Sequence, residues 1–201
     1  MTVVEERVKV ADAGSEAARR AMIDSQLRVS GINDPAILAA FLAVPREDFV
    51  PEARRAVAYA DRAVALGDGA VLSPALTYGQ MLTAAEPATD DSVLVIGNPG
   101  GYLAALAERL GGKVTLVAAT GDWAKAGAHT LVLVDGAIED MPAALAELVA
   151  PDGCIVTGVI ERGVTRLALG RKVAGTLAVT VLAEADFAPL AAFAARPKWS
   201  F

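Results

Sequence analysis

Residues 93–102 read VLVIGNPGGY: four apolar residues suited to a buried strand, then a turn holding three glycines, an asparagine and a proline. The following YLAALAERL (102–110) has helical character, so the unit is strand, tight turn, helix. In a doubly wound sheet, ligands bind at the carboxyl ends of strands, and the first such turn is glycine-rich so that backbone can approach the ligand. Any tight strand-to-helix turn can also use glycine, so the motif by itself leaves ligand binding and turn geometry equally open. An acid ending the next strand would bind ribose hydroxyls, but that strand ends VTLVAAT.

Outward from this turn, the downstream chain alternates strands with helices. VTLVAA (114–119) and LVLVD (131–135) read as strands, MPAALAELV (141–149) as a helix, APDG as a turn and CIVTGVI (154–160) as a further strand. VTRLALGRKVAGTLAVTVLAEADF (164–187) reads as two more strands, antiparallel to one another. The alternation predicts an α/β fold with a parallel sheet covered on both faces.

Upstream, the chain is helical in character. Ala18, Met22 and Val29, with Ile23 and Leu27, share one predicted face between Ser15 and Val29. In INDPAILAAFLAVP, Asp34 is an N-cap, Pro35 opens the helix and Pro45 ends it. A third helix is expected from Pro51 to Tyr59, then a glycine-rich stretch AVALGDGAVLSP, then a short helix from Thr77. The organisation expected is a helical extension with a substrate-side loop over 1–88 and a sheet core over 89–201, together one structural domain.

The 201 residues, 54% of them hydrophobic, suffice for one sizeable core. A net charge of −6 without any Lys/Arg block argues against a nucleic-acid partner. The opening MTVVEERVKVADAGSE lacks the apolar core of a leader peptide, and no run is long enough to span a bilayer; a cytoplasmic protein without membrane partners is expected. Cys154, the single cysteine, lies in an apolar run and reads as a packed small hydrophobe. His129, the single histidine, precedes a strand without any GxSxG elbow, which favours a loop or strand-entry role over a triad. With so few His and Cys, no metal site is expected.

The segment from Met22 to Gly69 resembles the N-terminal region of protein-L-isoaspartate O-methyltransferases. The resemblance rests on Gln26-Leu27, Gly31-Ile32, Val44-Pro45-Arg46-Glu47, Phe49-Val50-Pro51, and Ala58-Tyr59 with Asp61, and continues more weakly to the closing ARPKWSF. It implies a Rossmann-like methyltransferase sheet preceded by extra helices, and S-adenosylmethionine-dependent methylation of the free α-carboxylate of isoaspartyl residues in damaged proteins. It further implies a substrate-side serine, Ser73, and a cofactor turn comprising Gly97, Asn98, Gly100, Gly101 and Tyr102. Asp122, in Gly121-Asp122, resembles the acid that meets adenine. Asp135, ending LVLVD, is a candidate cofactor contact or a loop-capping residue.

The chain departs from the family pattern where Val95 replaces an acid, Pro99 a glycine and Ala118 the ribose-binding acid. Losing that last carboxylate removes charge-assisted hydrogen bonds worth roughly 1.5 to 3 kcal/mol. Between Ala119 and Leu131 only about a dozen residues remain, close to the minimum for a parallel crossover. The sheet is therefore expected to lack one edge strand and to leave VTLVAA at its edge, which predicts a homodimer that buries it. Three readings follow: a methyltransferase acting on a protein or small-molecule carboxylate; an inactive relative that has lost the cofactor and serves as a binding or scaffold protein; and a dinucleotide oxidoreductase, which leaves the N-terminal resemblance unexplained.

Overall fold

The computed structural model describes residues 14–97 and 101–195. Asn98, Pro99 and Gly100, the first 13 residues on which the leader reading rests, and most of ARPKWSF lie outside them.

Helix α1 occupies residues 14–22 and continues as a π-helical turn, Ile23–Leu27, and a 3-10 turn, Arg28–Ser30, ending at Gly31 with φ 88°. Widening and then tightening the helix changes the angle between successive side chains. Met22, Ile23 and Leu27 are buried, but Val29 is 74% exposed, which corrects its expected place on the apolar face. Helix α2, Pro35–Ala43, forms as its signals predict: the Asp34 carboxylate accepts from the N–H of Ala36 (2.8 Å) and of Ile37 (3.0 Å), and Val44, ahead of Pro45, turns extended. Asp34→Ala is expected to cost about 1 kcal/mol of stability in urea unfolding.

The segment expected as a helix from Pro51 is a 3-10 helix, Glu52–Val57. The stretch read as glycine-rich loop is a β-hairpin, β1 Val64–Gly67 and β2 Ala70–Leu72. Its turn places Asp68 and Gly69 at φ 50° and 78°, the pair of left-handed conformations that an Asp-Gly hairpin turn uses. Helix α3, Ala75–Ala85, then leads into the sheet.

The sheet elements are β3 Ser92–Gly97, α4 Tyr102–Arg109, β4 Lys113–Ala118, β5 His129–Ile138, α5 Ala144–Glu147, β6 Val149–Glu161, β7 Val164–Val173 and β8 Thr176–Glu184. The six strands lie in the order β4-β3-β5-β6-β7-β8; the first four are parallel, and β7 and β8 antiparallel. The helix expected over 141–149 is a single turn, because Val149 already pairs with His129 as sheet.

Along the central strands, Val93, Val95, Leu131, Leu133 and Val156 enter a core shared with α2, α3 and α4. Their neighbours Leu94, Ile96, Val132, Val134 and Ile155 pack on the other face beneath Leu145, Leu148 and Phe193. Burial on both faces is why these strands read as unbroken apolar runs.

β4 is an edge strand with β3 as its one sheet neighbour, and Leu116 on it is exposed. The connection from β4 to β5 holds a 3-10 turn, Trp123–Lys125. Trp123 pins it: its ring lies 5.4 Å from that of Phe193, and its indole N–H donates to the Ala119 carbonyl at 3.2 Å. From β3 the chain runs outward to β4 and then returns past β3 to β5. The carboxyl ends of β3 and β5 therefore flank the topological switch point, where open α/β sheets bind ligands.

Candidate functional site

β3 ends in Gly97 and β5 reaches the switch point at Asp135. The β5–β6 register shifts between Val134 and Ala137, and Gly136 takes φ 150° with Leu190 Cγ 2.5 Å from where a Cβ would stand. This bulge sets the Asp135 side chain against Gly97, where a Cβ would meet Asp135 Cβ at 2.5 Å. Glycine is required there by the close approach of β5.

Asp135 is 6% exposed. Its Oδ2 accepts from the Tyr78 hydroxyl at 3.1 Å, while Oδ1 is buried without a hydrogen-bond partner. Burial pushes the carboxyl up to about 7, against the Tyr78 hydrogen bond and the Arg46 charge, which favour ionisation. Tyr78, on α3, accepts from the Ser73 N–H at 3.1 Å; burial first and the Asp135 charge second raise its hydroxyl well above the ordinary tyrosine range.

Arg46 completes the cluster and is fully buried. Its Nε donates to the Ala58 carbonyl at 2.7 Å and an Nη to the Ser73 carbonyl at 2.5 Å, while Nη1 has no partner. The guanidinium carbon lies 5.9 Å from the Tyr78 ring centroid and 5.3 Å from that of Tyr102. The two rings meet edge-on at 5.5 Å, and the Tyr102 hydroxyl is also buried without a partner. Three orphaned polar atoms, on Arg46, Tyr102 and Asp135, thus gather around Tyr78 beside the switch point; each buried unpaired polar group costs about 1–3 kcal/mol.

Of the residues singled out in the sequence, Ser73, Gly97, Tyr102 and Asp135 belong to this constellation. Ser73 is buried, its backbone held by Tyr78 and Arg46. Gly101, at φ 68°, is the N-cap of α4. Asp122 does not join: it sits exposed past β4, paired with Lys125. Asn98 and Gly100 lie outside the described residues. Ala118 ends β4 opposite Gly97, so that strand end carries a methyl group and no carboxylate.

His129 opens β5, with Nδ1 2.7 Å from Ser92 Oγ, and Cys154 is buried with its thiol pushed up by burial. No group of His, Cys, Asp or Glu among the described residues could hold a metal ion.

Arg46 and Tyr78 as site residues were missed in the sequence. Arg46 stood only inside a quoted motif, and Tyr78 carries no local signal because its partners lie across the fold. Gln26, Glu47 and Tyr59 of that quoted pattern form a second interlock with Arg19, which precedes it: Arg19 Nε donates to the Tyr59 hydroxyl (2.8 Å), Tyr59 donates to Glu47, and Gln26 Nε2 donates to the Tyr59 carbonyl (2.9 Å). Together the two clusters fasten the helical extension to the loop carrying Ser73.

The family model for protein-L-isoaspartate(D-aspartate) O-methyltransferase matches residues 17–120. A protein-L-isoaspartate O-methyltransferase of Koribacter versatilis is 33% identical over 199 residues, covering 86% of this chain and 90% of that protein. One from Roseiflexus castenholzii is 32% identical, covering 86% and 91%. Among solved structures, one described as this enzyme from Plasmodium falciparum, in complex with S-adenosyl-L-homocysteine, superposes with a TM-score of 0.70 at 15% identity over 88% of this chain and 97% of that one. A second protein-L-isoaspartate O-methyltransferase gives 0.71 at 18% identity over 86% and 65%. At these identities the structural likeness establishes the Rossmann-like fold.

Proposed function

Because the chain belongs to the protein-L-isoaspartate(D-aspartate) O-methyltransferase family, we propose that it acts in the cytoplasm as an S-adenosylmethionine-dependent methyltransferase on the free α-carboxylate of isoaspartyl residues in damaged proteins. The observation that carries this reading is the nearly end-to-end alignment with a relative of that name. S-adenosylmethionine, when bound, supplies a methyl group on a cationic sulfur.

The residues present fit the amino-acid end of this cofactor. Gly97 ends β3, Gly101 and Tyr102 open α4, Asn98 and Gly100 stand between them in the sequence, and Asp135 carries an unpartnered oxygen. The adenine contact falls to Asp122, whose exposed carboxylate would exchange Lys125 for the ring. The ribose end is poorer, for Ala118 offers no acceptor.

Methyl transfer to a carboxylate needs alignment and exclusion of water more than acid–base help. Ser73 orients the substrate carboxylate by donating a hydrogen bond, and Arg46 and Tyr78 fix its backbone. The edge strand β4 is where a second copy would pair.

One observation favours a second reading, that of an inactive relative serving as a scaffold: β4 ends in Ala118 beside a turn containing Pro99, which has no N–H to offer. Thermal unfolding with S-adenosylhomocysteine separates the two. Ligand at 100 times its Kd stabilises by about 2.7 kcal/mol, and an unmoved midpoint at millimolar ligand would favour the scaffold. Ala118→Glu is expected to tighten S-adenosylhomocysteine binding roughly tenfold in calorimetry by restoring a ribose acceptor.

A further inference from the structure

Asp135 is the one buried acid among the described residues. Tyr78 satisfies one of its oxygens and leaves the other buried without a partner, on a side chain whose Cβ lies against Gly97 at the switch point. Such an oxygen has two stable states: it carries a proton, or it is ionised and meets a cation. The titratable and charged groups that act on it are Tyr78 from α3, by a hydrogen bond, and Arg46 from the turn after α2, through its charge. Arg46 does not serve as its salt-bridge partner: the bonds it makes go to the Ala58 and Ser73 carbonyls, and Tyr78 is what reaches the acid.

We propose that Asp135 is a charge sensor for the cofactor: it gives up its proton to solvent when a sulfonium cation is brought against Oδ1, and takes one back when the neutral thioether product replaces it. The inference rests on the cofactor reading above and adds to it a linked proton and a basis for telling substrate from product. The exchange balances. The methyl group passes from sulfur to the carboxylate oxygen, so the sulfonium and carboxylate charges are lost together, and Asp135, no longer facing a cation, recovers its proton from solvent. Its pKa near 7 makes the proton available below neutrality without locking it in place. Product release is thereby favoured, and the preference for the cationic form weakens as the pH falls.

The test is calorimetric titration of the full chain at about pH 6, in phosphate and in imidazole, whose ionisation enthalpies differ. With S-adenosylmethionine, wild-type protein is expected to release about one proton, and with S-adenosylhomocysteine close to none. In Asp135→Asn the release disappears and the preference for the sulfonium falls roughly tenfold or more. A carbon-13 titration of the Asp135 carboxyl in the wild-type protein, with and without S-adenosylmethionine, gives the same information without a variant; the midpoint should drop on binding. Binding without proton release, or with uptake, overturns this inference and leaves the methyltransferase reading intact. Failure of both ligands to bind a folded protein overturns both.

Discussion

Arg46→Ala lowers the stability of the protein by at least about 3 kcal/mol, enough to shift a denaturant midpoint by a molar or more of urea. The guanidinium is fully buried and holds the carbonyls of Ala58 and Ser73, which would both lose a charged donor inside the core. Its stacking on Tyr78 and Tyr102 would also be lost, leaving a cavity between two rings. Arg46→Lys keeps the charge but not the fork that spans two carbonyls, so it should recover only part of the loss. Equal stability of wild type and Arg46→Ala in equilibrium urea unfolding would show that the cluster does not join the extension to the core.

Asp135→Asn becomes more stable than the wild type as the pH is raised, and the gap opens through pH 7. The sign follows from the direction of the shift. The folded carboxyl titrates at about 7, above the ordinary aspartate value of 3.8, so the folded state holds the proton more tightly than the unfolded chain. The stability this confers is fully present below the unfolded pKa and is lost as the pH rises through the folded one. Each tenfold of proton affinity is worth about 1.4 kcal/mol, so the wild type should lose a few kcal/mol between about pH 4 and pH 8. Asparagine keeps an acceptor for Tyr78 and has no charge to bury. Urea unfolding of both proteins at about pH 5 and pH 8.5 reads the effect; parallel pH profiles would mean that Asp135 is ionised throughout.

What the sequence made legible was local. Strand, glycine turn and helix at 93–110, the Asp34 cap and the antiparallel pair at the carboxyl end are signalled by residues within a few positions of one another. The edge position of β4 followed from counting the residues left for its crossover. The β1–β2 hairpin had its signal too, Asp68-Gly69 between apolar residues, but the neighbouring Gly67 made the stretch read as loop. Val29 was misplaced because a regular 3.6-residue period was assumed through a helix that changes its pitch after Met22. The site itself was only half visible. Ser73, Gly97, Tyr102 and Asp135 were named from resemblance, while the contacts joining them are long-range: Arg46 to Ser73 and Tyr78 to Asp135 connect elements with no common periodicity, and Asp135 is aimed at Gly97 by a bulge that no spacing announces. The second interlock gives physical meaning to the quoted N-terminal pattern, whose Gln26, Glu47 and Tyr59 hold one another in place.

The most direct measurement is transfer of a labelled methyl group from S-adenosylmethionine to a pair of peptides that differ only in an isoaspartyl or an aspartyl linkage. Base-labile label is expected in the isoaspartyl peptide and background in the other. No label in either peptide, from protein whose folding has been verified by circular dichroism, would contradict it.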